Sequence, residues 1–211
     1  MTRIVYLHGF ASGPSSTKAR FFQEKLEDRG AEVEVPDLAE GNFRGLTITS
    51  QLRVIERACG TGRVSLMGSS LGGYLAALYA GLHPDRVDRV VLLAPGFGFP
   101  TRWPERMGAE RKEDWKRGGW TPVFHYGTGR EEPLGYQMVE DARRYPDAPS
   151  FEQPALIFHG VADPVVPAAA SAGFARIHAN VTLRLLQSGH ELTDVLELMW
   201  DEVATFLEPR A

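Results

Sequence analysis

The sequence predicts an α/β protein: an open, mostly parallel sheet of about six strands with helices on both faces. Three observations carry this reading. Strand-like apolar runs alternate with helical patterns along most of the chain. Arg63-Val64-Ser65-Leu66-Met67 runs straight into a helical pattern at Leu71, Leu75, Leu78 and Leu82. Val90-Val91-Leu92-Leu93-Ala94 is apolar without a break, as a strand covered on both faces requires. At 211 residues, 43% hydrophobic and 24% charged, the chain fills one core, so 1–211 reads as one domain.

Taken in order, Arg3 to Leu7 is the first strand, ended by His8-Gly9-Phe10-Ala11-Ser12-Gly13-Pro14, whose glycines and proline enforce a turn. Ala19, Phe22 and Leu26 recur at helical spacing and predict a helix from about Lys18 to Arg29, with Gly30 past its end. Glu32 to Val35 is the second strand. Pro36 to Leu46 has a loop composition, and Ile48, Leu52, Ile55 and Cys59 mark one face of the next helix. The Arg63–Met67 strand and its helix follow. His83-Pro84 stops that helix before the strand Val87 to Ala94.

From Pro95 to Pro154 the rhythm breaks. This stretch holds Trp103, Trp115 and Trp120 and reads as a cap-like insertion at about 95–154. It is expected to be helical near Glu105–Arg117 and Tyr136–Arg144, without a continuous strand pattern. The charges from Arg102 to Arg117 read as a solvated helix face in preference to a specific anion site. The aromatics suit local core or the wall of an acyl pocket. Alternation resumes with the strand Ala155–His159, the loop Gly160–Pro164, a helix from about Ala168 to His178, and the strand Val181–Leu186. After Gln187-Ser188-Gly189-His190, the last helix has an apolar face at Leu192, Val195, Leu196, Met199, Val203, Phe206 and Leu207.

A formal charge of −4, with both signs mixed along the chain, argues against nucleic-acid or anionic-membrane partners and favours a small-molecule substrate. No run approaches ~20 apolar residues, so no membrane span is expected. The single cysteine, Cys59, continues an apolar helix face and is read as buried. The N-terminus enters a strand at once and shows no signal-peptide pattern, so a cytoplasmic location is expected.

The chemistry centres on Gly68-Ser69-Ser70-Leu71-Gly72. This is G-x-S-x-G between a strand and a helix, the nucleophile elbow that lifts a serine above the sheet edge. The frame selects Ser70, because the same frame around Ser69 would need glycine where Met67 stands. Ligands of parallel sheets gather beyond the carboxyl ends of strands, and Asp163 and His190 follow later strands in the order Ser, Asp, His. Acyl transfer needs a base for the serine proton and a carboxylate to fix that base, which assigns His190 and Asp163. Asp194, one helical turn past His190, is the competing acid. The oxyanion donors are the backbone N–H groups of Leu71 and of Phe10 or Ala11.

The other histidines have weaker claims. His8 and His159 precede glycines at strand ends and are read as loop-fixing hydrogen-bonders; His83 and His178 end helices; His125 lies in the insertion, within reach of substrate. Phosphate-cradle, zinc and dinucleotide motifs are missing, so no cofactor or metal is expected.

With these residues assigned, the chain resembles the α/β-hydrolase superfamily over nearly its whole length. Tyr6-Leu7-His8-Gly9-Phe10, with Ser12, Pro14, Ser16, Lys18 and Ala19, and Gly68-Ser69-Ser70-Leu71-Gly72-Gly73-Tyr74 are similar to the small bacterial YqiA-type esterases. The helix after Gly41-Asn42-Phe43 and the pattern from Trp115 to Arg144 resemble the mitochondrial acyl-protein thioesterase branch of the α/β-hydrolase-domain proteins. The resemblance implies a minimal α/β-hydrolase cleaving carboxylic esters of small to medium acyl groups through an acyl-enzyme, with Ser70, Asp163 and His190 as its triad. The chain lacks the leading antiparallel strands of larger members and its insertion is short, which argues against bulky lipids. The alternatives are an acyl-protein or acyl-CoA thioesterase, a serine aminopeptidase with Glu131-Glu132 or Asp141 as amine anchor, and a non-catalytic ligand-binding module.

Overall fold

The structure is a computed structural model and describes residues 2–208; Met1 and the last three residues of the predicted 1–211 domain lie outside them. Its centre is a six-stranded sheet in the order β2-β1-β3-β4-β7-β8. The strands are β1 (Arg3–Leu7), β2 (Glu32–Glu34), β3 (Val64–Ser69), β4 (Val87–Leu93), β7 (Ala155–Gly160) and β8 (Val181–Leu186), and every neighbouring pair is parallel. This is the α/β-hydrolase arrangement that the sequence predicts.

Strand order decides which face each helix covers. From β1 the chain steps outward to β2, then returns past β1 to β3 and moves steadily the other way. Right-handed crossovers in opposite directions put their helices on opposite faces. Accordingly α1 (Thr17–Glu27) packs beside α8 (Leu196–Leu207) on one face, while α2 (Ile48–Cys59) and α3 (Leu71–Leu82) pack together on the other, whose core also takes Phe174 of α7 (Ala168–Ile177). The strands supply both layers through their period of two. In β1, Ile4 and Tyr6 join the α1 and α8 core, and Val5 and Leu7 join the core under α2 and α3. Buried Cys59 belongs to the second core, and burial pushes its thiol up to about 11.

Several boundaries differ from those read in the sequence. Ala94, placed at the end of a strand, instead turns with φ 44° after β4 ends at Leu93. The last helix begins at Leu196; Leu192 precedes it in a left-handed turn (φ 53°), its side chain buried in the α1 and α8 core.

The largest departure is between β4 and β7. One helix expected over Glu105–Arg117 is two, α4 (Phe99–Arg106) and α5 (Ala109–Gly118), broken where Gly108 takes φ 80°. No strand is expected in this stretch, yet an antiparallel hairpin forms from β5 (Trp120–His125) and β6 (Arg130–Gly135), followed by α6 (Gln137–Ala142). Pro122 and Pro133 hide its alternation and pair with each other across the ribbon. Proline is tolerated there because each strand of a two-stranded ribbon has an edge on which no N–H is needed. Buried Trp115 donates its indole N–H to Leu134 O at 2.9 Å, and Tyr126 N–H donates to Ala11 O at 2.7 Å. The hairpin is thereby tied to α5 and to the loop after β1.

Candidate active site

The site lies at the carboxyl ends of β1 and β3, where the strand order reverses direction and the following loops diverge. One residue, Ser70, separates the end of β3 from the start of α3. It adopts φ 53°, ψ −118°, a conformation that a side chain makes unfavourable. Hydrogen bonds hold it on both sides: its N–H donates to Leu93 O (2.9 Å), and its carbonyl accepts from Tyr74 N–H (3.0 Å) and Gly96 N–H (2.8 Å). The flanking glycines are required by close approach. A Cβ on Gly72 would overlap the carbonyls of Leu7 and His8, and one on Gly68 would overlap the carbonyl of Gly72.

The structure brings Ser70, His190 and Asp163 together from three separate loops. His190 Nδ1 is 2.7 Å from Asp163 Oδ2 and Nε2 is 2.9 Å from Ser70 Oγ. An ionised carboxylate only accepts, so Nδ1 carries the proton and Nε2 is free to accept from the serine hydroxyl. Asp163 is fully buried, and its other oxygen, Oδ1, accepts from the N–H groups of Val165 (2.7 Å) and Val166 (2.8 Å). Burial alone would raise its pKa. The hydrogen bonds from His190 and the two amides, with the attraction of His190, outweigh burial and hold the carboxyl below its ordinary range. Asp194 is engaged elsewhere, accepting from Ser188 Oγ at 2.5 Å.

His159 does fix a loop, as read from sequence, and it also reaches Asp163. Its fully buried ring sets Nε2 3.1 Å from Asp163 Oδ2 and 2.9 Å from Val166 O, and Nδ1 2.8 Å from Ser171 Oγ. Both partners of Nε2 are acceptors, so that nitrogen holds the proton and Nδ1 accepts from the Ser171 hydroxyl. Burial lowers the His159 pKa despite these acceptors and keeps the ring neutral. A second support escaped the sequence reading. The buried Lys18 ammonium donates to Glu191 O (2.5 Å) and Glu191 Oε2 (3.2 Å), fastening α1 to the residue after His190. The one sign of this in the sequence is a lysine on the apolar side of a helix's first turn.

Phe10 and Leu71 both line the cleft at Ser70, whereas Ala11, with φ 51°, is buried and does not. The N–H groups of Phe10 and Leu71 donate to no other described group of the chain. Gly9 backs onto the elbow: a Cβ there would lie 3.6 Å from Ser70 Cβ. His8 holds this loop by accepting from Leu38 N–H (3.2 Å) and donating to Gly9 O (3.0 Å), and burial lowers its pKa.

The cleft encloses about 740 Å³. Phe10, Phe99 and Trp103 form one wall, with ring centroids 4.9 to 6.0 Å apart, and Ser12, Ser15, Ser16 and Thr17 also line the cleft. The insertion's aromatics divide between two places: Trp115 is core and Trp103 lines the cleft. His125 does not line the cleft; it packs edge-on against Phe43. His178 bonds Phe174 O and Ser150, and the His83 ring packs tilted against Tyr79. The amine anchors of an aminopeptidase are also misplaced. Asp141 accepts from Thr49 N–H and Oγ1 at the head of α2, Glu132 pairs with Arg130, and neither they nor Glu131 line the cleft. Among the described residues, no cluster of three or more His, Cys, Asp or Glu side chains is arranged to hold a metal, and no helix is long and apolar enough to cross a membrane.

The model of the uncharacterised protein family UPF0227 matches residues 3–207. The human (lyso)-N-acylphosphatidylethanolamine lipase is 30% identical over 152 residues, which are 65% of this chain and 41% of that protein. The chain spans less than half the length of the curated relatives it matches. Among solved structures, an Agrobacterium vitis S4 protein superposes with a TM-score of 0.84 at 21% identity, covering 98% of this chain and 88% of that one. Mouse alpha/beta hydrolase domain-containing protein 10 superposes with a TM-score of 0.78 at 21% identity, covering 98% and 90%. These likenesses fix the fold and agree with both resemblances read from the motifs.

Proposed function

The chain belongs to the UPF0227 family, and on that premise we propose that it is a serine hydrolase cleaving carboxylic esters of small to medium acyl groups through an acyl-enzyme. The observation that carries the proposal is the unbroken line from Asp163 Oδ2 through His190 to Ser70 Oγ, at 2.7 and 2.9 Å, on a strained elbow. A similar relative that is itself a lipase supports ester chemistry.

In this mechanism His190 Nε2 takes the Ser70 proton as Oγ attacks the ester carbonyl, and Asp163 stabilises the imidazolium that forms. The Phe10 and Leu71 amides, free of other partners, stabilise the oxyanion; losing one such donor typically slows turnover by about a hundredfold or more. His190 then protonates the departing alcohol. Water, deprotonated by the same nitrogen, attacks the acyl-Ser70 carbonyl; the bond to Ser70 Oγ breaks as His190 returns that proton to it, and the acid is released. The reaction calls on no cofactor.

A thioester would use every one of these groups and differ only in its leaving atom. The test is a panel of p-nitrophenyl esters of rising acyl length beside matched thioesters, with fluorophosphonate labelling. Labelling of Ser70 and turnover of the shorter esters are expected. Labelling at Ser69, or turnover that survives Ser70→Ala, overturns the proposal, and a higher kcat/KM for thioesters reassigns the protein as a thioesterase.

A further inference from the structure

The sequence reads the charges from Arg102 to Arg117 as a solvated face, and for α5 this holds: Arg111, Lys116 and Arg117 are exposed and none lines the cleft. Arg102, half-buried, and Arg106, exposed, differ from these in their position. They sit one helical turn apart on α4 and both line the cleft, on the helix that also supplies Phe99 and Trp103 to its wall. Like charges at this spacing destabilise a helix, and among the described residues the two guanidiniums bond backbone carbonyls and no carboxylate. The lining carries Lys18, Arg102 and Arg106 against one carboxylate, Glu191, which Lys18 already engages. A local excess of positive charge therefore faces the cleft of a chain whose formal net charge is −4.

Both guanidiniums are also held in place. Arg102 donates to Phe97 O at 2.6 Å, and Arg106 donates to Val165 O at 2.5 Å. A guanidinium has five N–H donors, so most on each remain available to a ligand, and the carbonyl bonds reduce the freedom lost on binding. Partial burial and the neighbouring Arg106 charge disfavour the charged form of Arg102, against the pull of Asp163 and Asp147. An anion placed between the two arginines would relieve that repulsion.

We propose that Arg102 and Arg106 form an anion subsite, and that the substrate is an ester bearing a carboxylate or phosphate group away from the scissile carbonyl. The proposal rests on the ester-hydrolase reading and narrows it to anionic substrates. The oxyanion lies across the two guanidiniums, the apolar part of the substrate lies on Phe99 and Trp103, and the ester carbonyl reaches Ser70.

The test compares kcat/KM for matched ester pairs. One pair is p-nitrophenyl glutarate and its neutral methyl-capped form; the other is the butyrate ester of 2-phosphoethanol and its dimethyl phosphate form. In the wild type at least one pair should favour the anion by about tenfold or more. The preference should collapse toward unity in Arg102→Gln/Arg106→Gln and persist in the double lysine variant. Taking the ratio within each pair cancels any general loss caused by releasing the Val165 carbonyl. Which pair responds separates a carboxylate from a phosphate. No preference in either pair, or a preference that survives the glutamine substitutions, overturns the proposal. Binding of the same esters to the Ser70→Ala protein, followed by thermal shift, separates the two readings. An arginine-dependent shift by the anionic members without wild-type turnover upholds the subsite and removes the hydrolase reading; no such shift removes the subsite.

Discussion

His159 Nε2 lies 3.1 Å from Asp163 Oδ2, the same oxygen that accepts from His190 Nδ1 at 2.7 Å. Asp163 is thereby held from two sides, by a neutral buried histidine anchored on Ser171 and by the imidazole it orients. His159→Ala removes one donor and leaves space beside a buried carboxylate. We expect kcat to fall by about tenfold to a hundredfold with little change in KM, because a small displacement near the reacting atoms acts on the transition state. His159→Gln, which keeps a donor, should recover part of the loss. Steady-state kinetics of the two variants check this, and an unchanged kcat in His159→Ala would count against a positioning role.

Asp163 and Asp194 are separated as candidates by their partners. Asp163→Asn should lower kcat by about four orders of magnitude, since an amide no longer fixes the proton on His190 Nδ1. Asp194→Asn, which touches Ser188 and not His190, should leave kcat within about threefold. Equal losses in the two variants would refute this assignment.

Strain at the elbow is open to measurement. Ser70→Ala keeps a Cβ at φ 53°, whereas Ser70→Gly relieves it. Both variants should lose turnover, and the glycine form should be the more stable by about 1 kcal/mol in denaturant titration. A glycine variant less stable than the alanine one would show that the conformation is not strained.

Stability should fall on acidification. Burial lowers the pKa of His8 and of His159, and the hydrogen bonds to Asp163 lower its pKa despite burial. In each case the folded value lies below the unfolded one, so the unfolded chain binds more protons as pH drops. The stabilisation is complete above about pH 6.5 and is lost first through the histidines, then below about pH 4 through Asp163. Calorimetry should show Tm declining from about pH 6.5 downward; a Tm flat to about pH 5 would contradict the two buried neutral histidines.

The elbow, the three candidate residues and the six sheet strands were legible in the sequence because each is signalled locally. Gly68 and Gly72 mark a turn that only glycine permits, and β1, β3, β4 and β7 are apolar runs between loop residues. The hairpin from Trp120 to Gly135 was not legible, because Pro122 and Pro133 break its alternation and its pairing is visible only across the ribbon. The part of Lys18 was hidden for a related reason: its partner, Glu191, is 173 residues away.

By itself, the sequence determined the order of the strands along the chain, the register of the elbow on Ser70, and the loops that carry Asp163 and His190. Tertiary structure alone decided which aspartate His190 meets, that His159 shares that aspartate, and that Arg102 and Arg106 line the cleft while Arg111, Lys116 and Arg117 of α5 face solvent. The physical reason is range. Periodicity and turn chemistry act over a few residues, whereas hydrogen bonds and unpaired charges depend on which loops the sheet brings side by side.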